Sequence, residues 1–552
     1  MNQPQQENSR TGGPPCPPLL EDEASRGGHR GPPIHGWLVV GLAATVLAIS
    51  SFVYFFHQGM TNYYGDGVAH VNIARKVVDS PDDSLWQRYI QIGSPWLPLQ
   101  TVLMLPLVTS ERMWRNGAAG SVVSMISFVV AAVSLYSLAM GFYAGEERRS
   151  GILAAFSVAI FALNPSALFM QSTPMTEIVF IAALLAAVCL LQRWVESQTV
   201  GRLVAAGAAM SVATLSRYEA WPVAALSILC VALAARGDLK LRARTTAFFA
   251  TMVAAGPVYW LWHNWAIYGN ALEFLTGPNS ARGIYLQNRA NLGWSKMFVG
   301  HAVLDMVTIL TAAAVVAGPL ILLLAVAGLA RSVAARRRHF VEWSPALLLF
   351  VPFLFHVVSL YRGEIQVFPL SAFGLHNVRY GLLHLPAIAL FAPAAALIPP
   401  GNLRRWATAV ICASIAAQYG YLISEGPSQL AVYQEGYRNG VNARPARELA
   451  QASDFLKANP PRGLTLMNTG ALGPLVSRGG LRFSELIHEG TIRWHQIDDS
   501  IPADVLTVIV ERDDPLDKRF QGNAALTGDL AINFREEFSV GKIKLLKRVA
   551  GN

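Results

Sequence analysis

The stretch Tyr63–Asp79 reads Tyr-Tyr-Gly-Asp-Gly-Val-Ala-His-Val-Asn-Ile-Ala-Arg-Lys-Val-Val-Asp and follows the first long apolar block of the chain, Gly36–Phe56. A block of that length can cross a bilayer as a helix, because a span needs about 20 predominantly apolar residues. The polar stretch therefore emerges at a membrane face, with Asp66 at its head between two glycines. The side of the membrane on which this stretch lies determines the orientation of all the later helices.

The composition fits a protein that crosses the membrane several times. Of the 552 residues, 53% are hydrophobic and 14% are charged, whereas soluble domains carry about 25% charged residues. Three of the four cysteines lie inside apolar blocks and the fourth in a proline-rich tail, so we predict neither a structural disulfide nor a cysteine metal site. Residues 1–35 lack the apolar side chains needed to fold and are predicted to be a disordered cytoplasmic tail.

The apolar blocks predict an all-α polytopic membrane domain of about eleven transmembrane helices over residues 36–423. The blocks are Gly36–Phe56, Gly117–Phe142, Gly151–Met170, Thr176–Trp194, Gly201–Ser216, Ala220–Ala235, Thr245–Ile267, Ala302–Ala330, Ser344–Leu360, Tyr380–Ile398 and Trp406–Ile423. A further run, Ser94–Val108, is apolar but short and holds three prolines. It fits an interfacial or re-entrant segment better than a span.

The loop charges orient these spans. With the N-terminus in the cytoplasm, the short inner loops hold dense basic clusters such as Arg336–Arg338, and the outer loops are longer and sparser in positive charge. Counting Ser94–Val108 as a full span would invert every later loop and place the dense clusters outside. The four long polar segments then lie on the outer face, namely 57–116 with its juxtamembrane helices, 268–301, 361–379 and 424–552.

The last of these segments differs in composition from the rest of the chain, because charged residues occur throughout it. Its patterns predict a helix at Arg444–Ala458 and strands at Leu464–Met467, Val505–Val510 and Lys542–Leu546. A Gly/Pro-rich stretch, Asn468–Gly480, separates the first two strands. We therefore predict that 424–552 is a small extracytoplasmic α/β domain.

Asp66 is the first candidate site residue. If a helix begins there, Asp66 and His70 share one face, and a carboxylate at the mouth of a membrane cavity is well placed as a general base. An equally good interpretation makes Asp66 the N-cap of a helix over 67–78, since aspartate is a favoured cap and glycines flank turns. The local sequence leaves both interpretations open.

Glu177 is an acid at the start of a span, after the second outer turn, 164–177. A helix start also explains it, because Pro174 suits a first turn and an acid interacts favourably with the helix dipole. Capping alone explains less easily why two separate outer turns each bring one acid to the same membrane face.

Polar groups also occur at two later outer span ends, 216–219 and 376–380. They add Arg217, Glu219, His376, Arg379 and Tyr380 to the candidates. Arginine can grip a phosphate bidentately, although snorkelling is the usual role of an arginine at a span end. His301 and Asp305, spaced i,i+4, predict a satisfied polar contact, and Tyr259–Tyr268 predicts an aromatic belt at the membrane surface.

Several common catalytic motifs are absent from the sequence. It has no Walker A motif, no Gly-rich dinucleotide fingerprint, no His-Glu-x-x-His and no Gly-x-Ser-x-Gly. Soluble nucleotide chemistry and zinc or serine hydrolysis therefore lack support.

Five landmarks, in order, resemble the membrane-embedded glycosyltransferases of the C superfamily (GT-C), such as the protein O-mannosyltransferases, the lipid A aminoarabinose transferases and the oligosaccharyltransferase catalytic subunit. The landmarks are Asp66 within Tyr64–Arg75, Ser94–Leu99, Asn164-Pro165 with Thr176-Glu177, Asn264–Phe274, and Asn377–Tyr380. The resemblance covers about residues 36–400 and is specific for the superfamily rather than for one member.

The resemblance implies an inverting transfer of a hexose or pentose from a polyprenyl-phosphate-linked donor. Asp66 would be the general base, and Glu177 would orient acceptor or donor. Arg379, with Tyr380 and Arg217, would hold the donor phosphate. The remaining substrate-binding candidates are Tyr64, His70, Glu219 and His376. The second-loop motif is Thr-Glu rather than an Asp-containing pair, so we predict no metal and no other cofactor; a divalent metal lacks support.

The expected partners are the polyprenyl-phosphate sugar donor, a lipid, glycan or protein acceptor, and membrane lipids, but not nucleic acid. The expected location is the bacterial plasma (inner) membrane, with the N-terminus cytoplasmic. Two other classes stay open: a transporter or flippase for a lipid-linked glycan, and a non-catalytic membrane assembly subunit. Transporters tend to show paired repeats and acids near the midplane, whereas here the acids are at span ends and no repeat is visible, which favours the enzyme.

Overall fold

The computed structural model describes residues 34–82, 84–146, 149–288, 297–336, 340–369 and 375–549. This part of the chain is mostly helical, with a small sheet near the C-terminus. The predicted disordered tail falls, apart from its last two residues, outside the described residues, and so do Arg337 and Arg338 of the predicted inner basic cluster.

The helices of the first half are α1 Ile34–His57, α2 Gly65–Val78, α3 Leu85–Ile90, α4 Leu99–Met104, α5 Glu111–Arg115, α6 Ala118–Phe142, α7 Ser150–Ala162, α8 Pro165–Gln171, α9 Glu177–Ser197, α10 Val200–Thr214, α11 Ala220–Ala234 and α12 Leu239–Tyr268. The next are α13 Glu273–Thr276, α14 Ala281–Asn288, α15 Ala302–Ala317, α16 Pro319–Ala335, α17 Phe340–Leu347, α18 Val351–Tyr361, α19 Leu385–Phe391 and α20 Leu403–Ser424. Short 3₁₀ segments at Leu348–Phe350, Val378–His384 and Ala392–Leu397 join neighbouring helices.

The membrane-crossing helices confirm the helical class but not the predicted number of spans. Among the described residues, six helices are long and apolar enough to cross a bilayer, or up to eight if each of two bent pairs is one span. The helices α10 and α11 are apolar but shorter. The count of eleven therefore stays a prediction.

Two of the blocks predicted as single spans, 151–170 and 302–330, are each a pair of helices joined at a sharp bend. The pair α7 and α8 turns by 61° where Asn164 and Pro165 interrupt the helix, and α15 and α16 turn by 113° at Gly318. Gly318 has φ +98°, a conformation that a residue with a Cβ adopts only at a cost, and Pro319 follows it. The block predicted as one span, 302–330, is thus two helices.

The proline-broken run Ser94–Val108 contains no helix long enough to cross a bilayer, which fits the prediction that it is not a span. Only Leu99–Met104 is an α-helix in it, about 9 Å long at 1.5 Å per residue, which is far short of a bilayer core. The amide of Leu99, the first residue of α4, donates to the Leu215 carbonyl, so the run lies against the end of α10.

The centre of the membrane part is formed by two segments, α9 and Val378–Leu397. The most apolar windows of these segments are 78% and 94% buried inside the protein, whereas those of α1 and α20 are only 17% buried. Both central segments begin at the same face, where they carry Glu177 and Arg379 near their first residues. Buried polar side chains therefore meet at the ends where these two segments begin.

The four segments predicted to share the outer face do contact one another. Asn72 of the first segment donates to the Gly473 carbonyl at 3.0 Å, and Glu435 accepts from the Asn377 amide at 2.8 Å. The Gly300 amide donates to the Tyr361 carbonyl at 3.0 Å, which joins the second and third segments. All four segments thus meet at one side of the protein, and their placement on the outer face of the membrane stays a prediction.

The C-terminal part contains a five-stranded mixed sheet with the order β2-β1-β3-β5-β4. Its elements are α21 Ala431–Tyr437, α22 Arg444–Ala458, α23 Thr469–Gly479, α24 Ile492–His495, α25 Pro515–Gly522 and α26 Ala524–Asn533, with β1 Leu464–Met467, β2 Leu486–Ile487, β3 Val505–Glu511, β4 Phe534–Val540 and β5 Ile543–Arg548. The predicted helix at 444–458 and the three predicted strands are confirmed. The Gly/Pro-rich stretch 468–480 is mainly helix α23, because its apolar face packs into a buried core.

Candidate active site

Arg379 is the centre of a buried ion-pair cluster at this face. Its Nη2 donates to Asp66 Oδ2 at 2.7 Å, its Nε to Glu177 Oε1 at 3.1 Å and its Nη1 to Glu435 Oε1 at 2.7 Å. Glu177 and Glu435 are fully buried, whereas half of the Asp66 side chain is exposed. Arg379 is therefore held from inside the protein by two carboxylates and meets the third at the open edge of the cluster.

Arg217 is the second cation of this cluster. Its Nη1 donates to Glu177 Oε1 at 3.3 Å and to Thr176 Oγ1 at 2.9 Å, and its Nη2 donates to Glu219 Oε1 at 2.8 Å. A single carboxylate oxygen of Glu177 thus joins Arg217 to Arg379. Because both guanidiniums are mostly buried and ion-paired, the snorkelling interpretation is wrong for both arginines.

Tyr380 lies against both arginines. The guanidinium carbons of Arg217 and Arg379 lie 5.1 Å and 5.5 Å from the centre of its ring, within the range of cation–π attraction. The ring also stacks on His356, whose Nε2 is 3.0 Å from Glu219 Oε1. Tyr380 and His356 therefore fix the positions of the charged groups around them.

The geometry decides between the two interpretations of Asp66. Helix α2 begins at Gly65 with Tyr64 as its N-cap, and Asp66 lies inside the first turn. The Asp66 carboxylate bonds to Arg379, not to a backbone amide of its own helix. The N-cap interpretation is thus wrong. Glu177 is the first residue of α9, where the dipole argument still applies, but its carboxylate is also engaged by the two arginines.

Gly67 explains how α2 comes close to the second outer turn. A Cβ at this glycine would lie 2.9 Å from Pro174 Cγ, which is closer than such contacts are found. Gln100 Nε2 donates to the carbonyl of the same proline at 2.7 Å and fixes the turn from the other side. The glycine therefore allows the segments that carry Asp66 and Glu177 to lie in direct contact.

Three of the predicted substrate-binding residues lie around the cluster in different settings. The buried Tyr64 ring lies under Arg379, and its hydroxyl donates to the Val432 carbonyl at 2.6 Å. His70 is buried and its ring packs at a tilt against Trp96, with the ring centroids 4.3 Å apart. Burial lowers the His70 pKa to about 4, so its ring is neutral at neutral pH. His376 is exposed and stacks on Phe368. A substrate contact by any of the three stays a prediction.

Sequence reasoning missed Glu435, His356 and His384, whose Nε2 lies 3.4 Å from His356 Nδ1. The two histidines lie inside predicted apolar spans, where ionisable residues are rare and commonly functional, so they carried a signal. Glu435 had no comparable signal, because it lies in a polar segment after the last span. It accepts from Arg379 Nη1 and from the amides of Asn377 and Arg379, and so it fixes both the side chain and the backbone of Arg379.

The predicted contact between His301 and Asp305 is not formed. Asp305 is buried, and neither of its carboxylate oxygens has a hydrogen-bond partner among the described residues. The aromatic run Tyr259–Tyr268 only partly faces outward, since Trp262 and Trp265 are exposed but Trp260 is buried.

No metal centre is formed by the side chains that the structure describes: no group of three or more His, Cys, Asp or Glu side chains is arranged to hold an ion. In the cluster, Arg379 already occupies one oxygen of each of Asp66, Glu177 and Glu435. Independence from metal and other cofactors stays a prediction.

No protein-family model matches the sequence, and no curated protein matches it either. Solved structures do resemble it. ArnT from Cupriavidus metallidurans, bound to undecaprenyl phosphate, aligns over 94% of this chain and 99% of its own, with a TM-score of 0.52 and 14% sequence identity. The chain shares the fold of this ArnT structure. The oligosaccharyltransferase AglB from Archaeoglobus fulgidus, in complex with an inhibitory peptide and a dolichol-phosphate, aligns over 92% of this chain and 74% of its own, with a TM-score of 0.48 and 12% identity.

Within this fold, the C-terminal part holds the helix that carries Asp66. Lys76 of α2 donates to Glu489 Oε1 at 3.1 Å, and the Trp114 indole and the Gly473 carbonyl both bond to Asn72. Apolar residues of α2, α4, α5 and α23 share one buried core with β1, β3 and β5. The position of Asp66 therefore depends on the C-terminal part as well as on the membrane part.

Proposed function

We propose that the protein transfers a sugar from a polyprenyl-phosphate-linked donor to an acceptor hydroxyl on the outer face of the membrane, with inversion at the anomeric carbon. The observation that carries this proposal is the pair of arginines, Arg217 and Arg379, joined through Glu177 and placed beside the half-exposed Asp66. The ArnT structure of the same fold contains undecaprenyl phosphate, which supports a polyprenyl-phosphate donor here.

The two arginines suit the leaving group of this reaction. The acceptor oxygen forms a bond to the anomeric carbon while the bond from that carbon to the phosphate oxygen breaks. The electron pair of the broken bond stays on the departing polyprenyl phosphate, which gains a negative charge. Guanidiniums fixed in a largely water-free site stabilise such charge strongly, because they need no reorganisation as it develops. Arg379 donates one hydrogen bond to each of three carboxylates and has further N–H groups for a phosphate.

Asp66 suits the role of general base. In the resting protein its Oδ2 binds Arg379, at the exposed edge of the cluster. In the proposed reaction the donor phosphate takes over this Arg379 N–H, and the freed carboxylate accepts the proton of the acceptor hydroxyl as that oxygen attacks. The proton thus ends on Asp66, and the negative charge on the polyprenyl phosphate next to the two arginines.

Glu177 has an oxygen left for a substrate. Its Oε1 is shared by the two arginines, but its buried Oε2 has no hydrogen-bond partner among the described residues. A buried carboxylate oxygen without a partner is costly. A sugar hydroxyl donating to Oε2 would remove this cost, which is how Glu177 would orient the donor or the acceptor.

The test is transfer by the purified full-length protein in liposomes, with a panel of polyprenyl-phosphate pentoses and hexoses and a membrane extract as the source of acceptors. We expect one donor class to lose its sugar and release polyprenyl phosphate only when protein is present. Movement of an intact donor between leaflets, with no cleavage for any member of the panel, would contradict the proposal and favour the flippase.

A further inference from the structure

A cleft of about 580 Å³ lies apart from the ion-pair cluster, between α5 of the first outer segment and helices α22 and α23 of the C-terminal part. Its charged lining consists of Arg112, Arg115, Lys457, Arg478 and Asp454. Four cations thus face one carboxylate. Concave walls of one charge sign concentrate the electric field inside them and attract an oppositely charged group.

The cations of this cleft differ in how far the protein neutralises them. Arg115 is occupied, since it pairs with Glu111 at 2.6 Å and donates to carbonyls of α23. In the described part of the chain, no carboxylate lies within ion-pair distance of Arg112 or Arg478. Among the described residues, Arg478 donates only to the Asn62 carbonyl, at 3.3 Å, and burial lowers its pKa. Lys457 contacts Asp454 at 3.4 Å, but both side chains are mostly exposed. Three cations therefore remain available to an anion.

The position of the cleft places it near the bilayer surface. Arg112 and Arg115 lie in α5, which ends just before α6 enters the membrane at Ala118. Asn62, which holds Arg478, follows the end of α1 at His57. Cations at the ends of membrane spans attract anionic lipid headgroups by their opposite charge.

We propose that this cleft binds the phosphate of an anionic phospholipid headgroup. Its volume falls within the range of about 300–1,000 Å³ that is typical of small-molecule sites. Arg112 and Arg478 offer planar pairs of N–H groups that match phosphate oxygens, and Lys457 adds a point charge. The lipid connects α5 to α22 and α23, and so links the C-terminal part, which holds α2, to the membrane surface.

Native mass spectrometry of the full-length protein, released from a neutral detergent, tests this proposal. The protein is titrated with phosphatidylglycerol, with phosphatidylcholine, and with inorganic phosphate alone. We compare the wild type with Arg112→Ala/Lys457→Ala and with the control Arg512→Ala/Lys518→Ala. Both pairs are exposed, and the control removes the same charge from the C-terminal part, away from the cleft. The full chain is used because α2 and the C-terminal part share one core.

We expect one tightly retained phosphatidylglycerol on the wild type and on the control, little retained phosphatidylcholine, and at least tenfold weaker phosphatidylglycerol binding by the cleft variant. Equal weakening in both double variants would overturn the proposal, because the lipid would then respond to net charge alone. Inorganic phosphate bound as tightly as the lipid, with the same dependence on the cleft, would overturn the assignment to a lipid. Unchanged phosphatidylglycerol binding by the cleft variant would overturn the proposal as well.

Discussion

Asp66→Asn is expected to lower the turnover of sugar transfer by about a thousandfold, within the range that general-base catalysis supplies. The amide oxygen of asparagine can still accept the Arg379 Nη2 hydrogen bond that Asp66 accepts at 2.7 Å. The cluster should therefore keep its geometry and the donor should still bind, but the amide cannot take up the proton of the acceptor hydroxyl. The measurement is the rate of polyprenyl-phosphate release in liposomes with saturating donor.

Asp79→Asn is the matched control, because Asp79 ends the same helix. Thirteen residues of α2 place it about 20 Å from Asp66, where its carboxylate binds Arg75 and the Phe483 amide. We expect its turnover to stay within a few-fold of the wild type. If Asp66→Asn transferred sugar at the wild-type rate while folding normally, Asp66 would have no role as base.

Arg379→Ala is expected to destabilise the fold as well as abolish transfer. Removing this guanidinium leaves Asp66, Glu177 and Glu435 without their shared cation, and the latter two are fully buried. Breaking a buried ion pair by removing one partner costs about 3–5 kcal/mol, because it leaves an uncompensated buried charge. The measurement is the thermal unfolding midpoint of the purified protein in detergent.

Arg379→Lys separates the charge from the geometry. A lysine restores a positive charge but has a compact ammonium in place of the planar fork that reaches three carboxylates. We expect it to recover part of the lost thermal stability but little of the transfer. The stability control is Arg404→Ala. Arg404 is partly exposed, and its long ion pair with Glu146, at 3.6 Å, contributes about 1 kcal/mol at most to the free energy of unfolding. An Arg379→Ala protein as stable as this control would contradict the buried network.

Much of the fold was predictable because apolar length and loop charge are local properties of the sequence. The length and the prolines of Ser94–Val108 predicted that it is not a span, and its one short α-helix, Leu99–Met104, fits that prediction. The break at Gly318 was not predicted, because a Gly-Pro pair inside a long apolar block changes its hydropathy very little. Strand β4 was also missed, since its sequence, Phe-Arg-Glu-Glu-Phe-Ser-Val, has little of the apolar alternation expected of a strand and most of its residues are exposed.

Asp66, Glu177, Arg217 and Arg379 of the candidate cluster were predicted one by one from the sequence, but their arrangement was not. Asp66 and Arg379 are 313 residues apart in sequence, and no local pattern shows that they form an ion pair. The shared use of Glu177 by two arginines follows from the packing of α9 against the segment that begins at Val378. Glu435 was not predicted, because its role depends on its contact with Arg379, which no local sequence pattern shows.

The most direct test of the central claim is the anomeric configuration of the product formed from the donor that the liposome panel identifies. A single displacement by an acceptor hydroxyl that Asp66 deprotonates inverts the anomeric carbon and releases one polyprenyl phosphate for each sugar transferred. Nuclear magnetic resonance of the product, together with the count of released polyprenyl phosphate, should show inversion at a ratio of one to one. Retention of configuration, or sugar transfer without release of polyprenyl phosphate, would contradict the account.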